Sequence, residues 1–237
     1  KKKKEILISP YTLTEVVNAI IYAGGTPIYV DIDIKTGLPL EYDLNRKINS
    51  KTAGLLITHL YSKKEDIIKF YKKFNKKIII IEDVAINFGA KINNKKYLGN
   101  IFDFGFYSFG VMKNICSFHG GAIYSKDKLK FNQIKKNLNK NVNYPFIESL
   151  KLVSFCIVID FLYSKLIYNF FTHYVLKFSI KKLDRLVYPG VYPKIYKQKP
   201  ISYNYKFQKN FAIAGIENLK VYDSKLSLRI KNVKIYE

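Results

Sequence analysis

Between Glu5 and Ser125 the chain returns again and again to short, almost unbroken apolar runs: EILIS, PIYVDI, GLLITHL, KIIIIED, FGFYSF and GAIYS. A strand with one wet face alternates apolar and polar residues, whereas a strand covered on both faces is apolar throughout. These runs are of the second kind. The stretches between them have helical spacing instead. Thr12 to Ala23 places Val16, Val17, Ile20 and Ile21 on one side, and Lys63 to Phe74 does the same with Ile67, Ile68 and Tyr71. Gly24-Gly25 has the form of a helix C-cap. Strand, helix and strand in this order predict an α/β fold, a mostly parallel sheet between two helical layers. The 237 residues, 48% of them apolar, suffice for one large domain with its own core.

After Asp127 the pattern changes. Residues 128–143 read as a polar helix and loop, and residues 146–180 as a dense apolar and aromatic insertion. Crossing a bilayer takes roughly 20 predominantly apolar residues, and here Lys151, Asp160, Lys165, His173 and Lys177 interrupt the run. Two readings of this segment stand: a helix lying in the headgroup plane as a peripheral membrane contact, or a helical pair packed on the domain or on a second subunit. Residues 187–200, with three prolines, read as an extended linker. From Asn210 to Tyr236 helical periodicity returns as one long helix. The expected organisation is a core over 1–127, an insertion and linker over 128–200, and a returning segment over 201–237.

Lys and Arg number 41 against 18 acids, a net charge of +23, which suits nucleic acid, anionic lipid or phosphorylated small molecules. The basic residues are scattered, and Lys, Ile, Asn and Tyr are abundant together, as a nucleotide-biased genome would produce in any protein. Charge alone therefore identifies no partner, and nucleic acid is not expected. Cys116 and Cys156 show neither C-x-x-C nor zinc spacing, which speaks against a disulfide framework or a structural metal. The segment KKKKEILISP has no signal-peptide h-region. A cytoplasmic protein, peripheral at the membrane if the insertion docks there, is the expectation. The absence of an initiator Met implies sequence upstream.

In doubly wound sheets ligands gather outside the carboxyl ends of the strands. The polar residues there are Ser9 and Thr12, His59, Glu82 and Asp83, and Ser108 to Lys113. An acid at one strand end and a lysine one loop later describe either an ion pair or a site for a cofactor with a basic nitrogen and a carbonyl. Pyridoxal 5'-phosphate fits the second description. Its ring nitrogen needs an acid to stay protonated, its aldehyde needs a lysine, and its phosphate needs hydroxyl, amide and backbone donors. Each residue also has a plainer reading: Asp83 as a helix cap, Lys113 as a solvated charge, Ser108 as a strand-end hydroxyl.

Collinear motifs favour the cofactor. EILISPYTLTEVVNAIIYAGGTPIYVDID, LLITHLYS, IIEDVAINFGAKINNKKYLGNIFDFGFYSF, VMKNICSFHGGAIYSKD and, late in the chain, SYNYKFQKNFAIAG resemble the successive motifs of the DegT/DnrJ/EryC1/StrS family of pyridoxal-phosphate-dependent sugar aminotransferases. The resemblance covers residues 5–127 and 202 to about 236. It implies the large domain of a fold-type I transferase, with the phosphate loop upstream of Lys1 and a small domain after Glu237. It makes Lys113 the Schiff-base lysine, Asp83 the partner of the pyridine nitrogen and Ser108 a phosphate contact. Asn204 falls on an asparagine that reaches the phosphate of the neighbouring subunit, which implies a homodimer with shared sites. The implied reaction moves an amino group, from glutamate, to a nucleotide-linked keto sugar.

The sequence departs from the family pattern at several positions. Leu13 stands where an aromatic usually stacks on the ring, Ile86 where a polar residue lies near the ring hydroxyl, Phe88 in place of His, His119 in place of Glu and Lys206 in place of Arg. A dehydratase-like or non-catalytic relative on the same scaffold is one alternative, though relatives with redirected chemistry often lose the lysine that this chain keeps. The other is a basic membrane- or nucleic-acid-binding module, whose binding would fall steeply with salt and survive loss of Lys113.

Overall fold

The computed structural model describes residues 4–74, 78–93, 96–175, 177 and 198–235. Its centre is a six-stranded sheet of β1 (Glu5–Ile8), β2 (Thr26–Tyr29), β3 (Thr52–Thr58), β4 (Ile79–Asp83), β7 (Phe104–Ser108) and β8 (Gly121–Ser125), in the order β2-β1-β3-β4-β7-β8. Every pairing is parallel except the last, β7 with β8. Each apolar run of the sequence supplies one strand. A small antiparallel pair, β5 (Lys91–Asn93) and β6 (Lys96–Tyr97), lies between β4 and β7 in the chain.

Helices cover both faces. On one, Ile6, Ile8, Leu56, Ile81 and Phe106 meet Val16, Val17 and Ile20 of α1 (Thr14–Tyr22). On the other, Leu7, Leu55, Ile57 and Ile80 meet Leu44 of α2 (Glu41–Lys47) and Ile67 of α3 (Lys64–Lys73). α1 ends where the glycine pair predicts. Gly24 adopts φ 77°, and the amides of Gly24 and Gly25 donate to the carbonyls of Ile21 and Ile20, each at 2.9 Å.

α2 was not foreseen from the sequence. Its seven residues are mostly polar, and Leu44 is its one fully buried apolar side chain. What holds it is Asp43, which accepts from the Asp31 amide at 2.9 Å and pairs with Arg46 and Lys47, both at 2.7 Å. These donors hold the Asp43 carboxyl well below the usual carboxylate range.

Beyond the core, α4 (Lys128–Leu138) is capped by Asp127, whose carboxylate accepts from the amides of Leu129 and Lys130. α5 (Phe146–Leu162) and α6 (Lys165–Ile167) follow, and a π-turn over Tyr168–Thr172 continues α6. The proline-rich stretch 187–200 lies outside the described residues up to position 197. The expected single helix at the end of the chain is instead two, α7 (Lys209–Lys220) and α8 (Tyr222–Val233). The break falls at Val221, where φ −103° and ψ 9° leave the helical region.

One buried carboxylate fastens the centre of the sheet. Glu82 is fully buried and accepts from the amides of Gly99, Ile101 and Phe102, each at 2.9 Å, and from His59 at 3.2 Å. Gly99 has φ 89°, and an added Cβ there would collide with the Tyr107 ring. The loop feeding β7 is thus threaded between a carboxylate and an aromatic ring. Glu82→Gln replaces one acceptor oxygen by a donor facing amide N–H groups, and is expected to destabilise the fold by about 3 kcal/mol. Urea unfolding checks this; a loss under about 1 kcal/mol would show that the clamp carries little.

Candidate functional site

Parallel register decides which strand-end side chains meet. Thr58 pairs with Asp83, and Asp83 with Phe106, two residues before Ser108. Side chains alternate along a strand, so Thr58, Asp83 and Ser108 share one face at the carboxyl ends of β3, β4 and β7. It is the α1 face. Thr12, just before α1, shares a hydroxyl hydrogen bond with Thr58 at 3.1 Å.

His59 and Glu82 lie one step along their strands and therefore face the opposite way, into the clamp under the sheet. Their place among the polar strand-end residues suggested site positions; alternation removes them. Thr58, passed over in the sequence beside His59, takes the site face instead. Asn87 was also missed: its amide donates to the carbonyls of His59 and Leu60 at 2.6 and 3.1 Å, pinning the β3 exit to the β4 exit.

Asp83 is 4% exposed, and its Oδ1 accepts from the Ala85 amide at 3.0 Å. Burial raises its pKa above the ordinary carboxylate value; the Ala85 hydrogen bond, the Lys113 ammonium and His59 each pull it back. The field of Lys113 therefore reaches Asp83, yet among the described residues no ion pair within 4.0 Å joins the two. The acid is buried and the amine half-buried, and they form no ion pair.

The loop after β7 presents that amine. Lys113 N–H donates to the Gly110 carbonyl at 3.2 Å, closing a turn. Met112, immediately before it, has φ 67°, an uncommon conformation for a residue with a side chain and one that concentrates at functional sites. The loop is fastened at both flanks. Ser117 N–H donates to the Phe109 carbonyl at 2.8 Å, and Asn114 donates to the Ile86 carbonyl at 3.1 Å while accepting from Arg229 of α8 at 2.5 Å. Phe88 packs edge-on against Tyr107, Phe109 and Tyr222, and the Tyr222 hydroxyl donates to the Phe88 carbonyl at 2.7 Å. Where the family has a histidine, this chain has an aromatic anchor for α8.

Asn204 stands apart. It closes the 3-10 turn Ile201–Asn204, is exposed, and accepts from Lys199 at 2.7 Å; no hydrogen bond or ion pair among the described residues links it to Asp83, Ser108 or Lys113. Next to it, Tyr203 meets Tyr22 at the far end of α1 from Thr12. His119 is half-buried against Tyr144, and burial lowers its pKa. Leu13 and Ile86 remain 55% and 39% exposed, apolar surface at the rim of the site.

The donor set fits pyridoxal phosphate: a carboxylate whose burial favours a partner that brings a proton, a lysine in the next loop whose charge reaches it, and hydroxyls on the carboxylate's face.

The family model of the DegT/DnrJ/EryC1/StrS aminotransferase family matches residues 1–143. GDP-perosamine synthase of Escherichia coli O157:H7 is 35% identical over 132 residues, covering 54% of this chain and 35% of the relative. An E. coli dTDP-4-amino-4,6-dideoxy-D-glucose transaminase is 30% identical over 138 residues, 55% of this chain and 36% of the relative. The chain thus spans about a third of the length of these curated relatives. Among solved structures, a putative PLP-dependent aminotransferase from Bacillus cereus superposes with TM-score 0.63 at 21% identity, over 100% of this chain and 51% of its own. The E. coli GDP-4-keto-6-deoxy-D-mannose-3-dehydratase, solved with hydrated PLP, gives TM-score 0.59 at 19% identity, over 99% and 52%. The α/β fold is that of these enzymes, and the chain belongs to the DegT/DnrJ/EryC1/StrS aminotransferase family.

Proposed function

We propose that this chain forms the cofactor-binding core of a pyridoxal-phosphate-dependent aminotransferase acting on a nucleotide-linked keto sugar, with glutamate as the amino donor. What supports the reading is Asp83, buried at the carboxyl end of β4 on the face it shares with Thr58 and Ser108, together with Lys113 in the loop after β7, whose charge reaches it. The two curated relatives described above are named for making or transaminating amino sugars linked to GDP and dTDP, which favours a substrate of that class. The dehydratase among the structural neighbours shows that the fold alone does not choose the reaction; the retained Lys113 favours amino transfer.

When bound, pyridoxal phosphate supplies an aldehyde that takes up an amine and a ring that draws in an electron pair. The protein's own groups do the rest. Asp83 holds a proton at the ring nitrogen, because a buried carboxylate is stabilised by a cationic N–H beside it. Lys113 anchors the aldehyde and, once released, moves a proton between the donor or acceptor carbon and its own amine. Ser108 holds the phosphate, joined by Asn204 from a second copy, which makes the working unit a homodimer. The rim residues Leu13 and Ile86 provide apolar cover where the family more often has an aromatic and a polar group.

Two outcomes are expected. Lys113→Ala should abolish the borohydride-reducible adduct with pyridoxal phosphate and lower amino transfer by at least about 10²-fold, with the far-ultraviolet circular dichroism spectrum unchanged. An adduct as abundant in the variant as in the wild type would remove Lys113 from this role.

The second outcome concerns the protein without cofactor. Because burial raises the folded-state pKa of Asp83 above its ordinary 3.8, the folded state holds that proton more tightly than the unfolded state. Stability from this group therefore falls as pH rises through the window above 3.8, and the cost persists at neutral pH. Asp83→Asn should raise the cofactor-free Tm at neutral pH, and the difference should close as pH drops below the ordinary carboxylate range. A wild type more stable than the variant at pH 7 would contradict this.

A further inference from the structure

The loop that carries Lys113 is bracketed by two backbone conformations that cost energy. Met112 holds φ 67° and Phe118 φ 62°, and left-handed residues with side chains persist only where their surroundings over-determine them. Part of that determination is internal: Lys113 N–H donates to the Gly110 carbonyl and Ser117 N–H to the Phe109 carbonyl. Two asparagine side chains supply the rest from outside the turn.

Both asparagines are set by one face of α8. The Asn114 NH2 donates to the Ile86 carbonyl at 3.1 Å, and the NH2 of Asn218 on α7 donates to the Cys116 carbonyl at 3.1 Å. Arg229 donates to Oδ1 of Asn114 at 2.5 Å, and Lys225 donates to Oδ1 of Asn218 at 3.1 Å. Lys225 and Arg229 are four residues apart, so they project from the same side of α8. An asparagine amide can turn either its oxygen or its NH2 toward a neighbour, because the two ends are alike in size and shape. A cation that can only donate settles the choice. Oδ1 faces the guanidinium or the ammonium, and the NH2 is left aimed at a main-chain carbonyl on the other side.

Asn114 is the one of the pair that bears on chemistry. It follows Lys113 directly in the chain, and its partner Ile86 lies three residues after Asp83. One side-chain amide therefore ties the loop carrying the amine to the loop that follows the acid. Arg229 is exposed and Asn114 half-buried, and contacts of an exposed charge contribute little to global stability. Direction is a different matter. A displacement of about 1 Å is enough to slow the reaction of a positioned group many-fold.

We infer that Arg229 is a positioning residue for Lys113: by turning the Asn114 amide onto the Ile86 carbonyl, it fixes the Lys113 loop against the loop that leaves Asp83. Lys225 supports the far flank of the same loop through Asn218. The inference rests on the amino-transfer reading for what Lys113 does, and on the hydrogen bonds alone for how its loop is held.

Two measurements on the wild type, Arg229→Met, Arg229→Lys, Asn114→Ala and the Arg229→Met, Asn114→Ala double variant test it. In the cofactor-free protein, hydrogen exchange over residues 109–117 should quicken by about ten-fold in Arg229→Met and in Asn114→Ala, with exchange in β3 and β4 and the Tm nearly unchanged. With pyridoxal phosphate added, the rate at which borohydride-trapped label builds up on Lys113, read by peptide mass spectrometry, should fall by about ten-fold in both. Because Arg229 acts through Asn114, the double variant should be no slower than Asn114→Ala. Arg229→Lys keeps a donor and should recover most of the wild-type rate. If Arg229→Met loses protection throughout the sheet, Arg229→Leu takes its place with the same expectations.

Unchanged exchange in the loop would overturn the inference and leave the cofactor reading intact. Faster exchange with wild-type trapping rates would also overturn it, reducing Arg229 to a loop anchor, and so would losses that add in the double variant. A wild type that carries no label on Lys113 is a separate result: it would strike the amino-transfer reading itself, and the positioning role with it.

Discussion

The sheet is held in register at its functional end by one carboxylate placed under it. Glu82 gathers three amides of the loop leading into β7 and the imidazole of His59 at the end of β3, all in the dry interior. With unpaired charge so costly at full burial, this arrangement tolerates little movement: if the loop shifts, donors and acceptor lose one another together. The adjacent residue in the chain, Asp83, points the other way. Alternation of side chains across a strand thus couples a structural carboxylate on one face to the carboxylate of the proposed site on the other, and rigidity on the first is transmitted to the second by the shared backbone.

A working site costs stability in this scheme. Asp83 sits where burial disfavours its charge, Met112 takes a left-handed backbone conformation, and Leu13 and Ile86 leave apolar surface uncovered. Each is unfavourable in the chain by itself; under the proposed function a ring with a cationic N–H beside Asp83 would offset the first. The surrounding contacts offset that cost. Asn114 and Arg229, Tyr222 and the Phe88 cluster tie the Lys113 loop and the β4 loop to α8, so the last helix of the chain acts as a brace for a site made of residues more than a hundred positions earlier.

Much of this was legible in the sequence because each apolar run is buried on both faces and has no other stable state. All six strands of the main sheet and the helices α1 and α3 follow from that, and so does the placement of Asp83 and Ser108 at the carboxyl ends of β4 and β7. The sides were less legible. Whether a strand-end residue faces the site or the opposite core depends on register, so His59 and Glu82 read like Asp83 until the pairing of Ile57 with Glu82 places them below the sheet. α2 escaped because its stability comes from the Asp43 hydrogen bonds rather than from an apolar stripe. The final helix looked continuous since nothing in NLKVYDSK signals the turn at Val221. The insertion looked uniformly apolar, and in α5 no side chain is fully buried.

The proposed chemistry needs one particular amine, Lys113, in a chain crowded with lysines, so chemical mapping tests it most directly. The protein would be loaded with pyridoxal phosphate, reduced with borohydride, digested, and the pyridoxyl-bearing peptides identified by mass spectrometry. Modification concentrated at Lys113 is the predicted result. A label spread over exposed lysines, with Lys113 itself unmodified, would contradict the account.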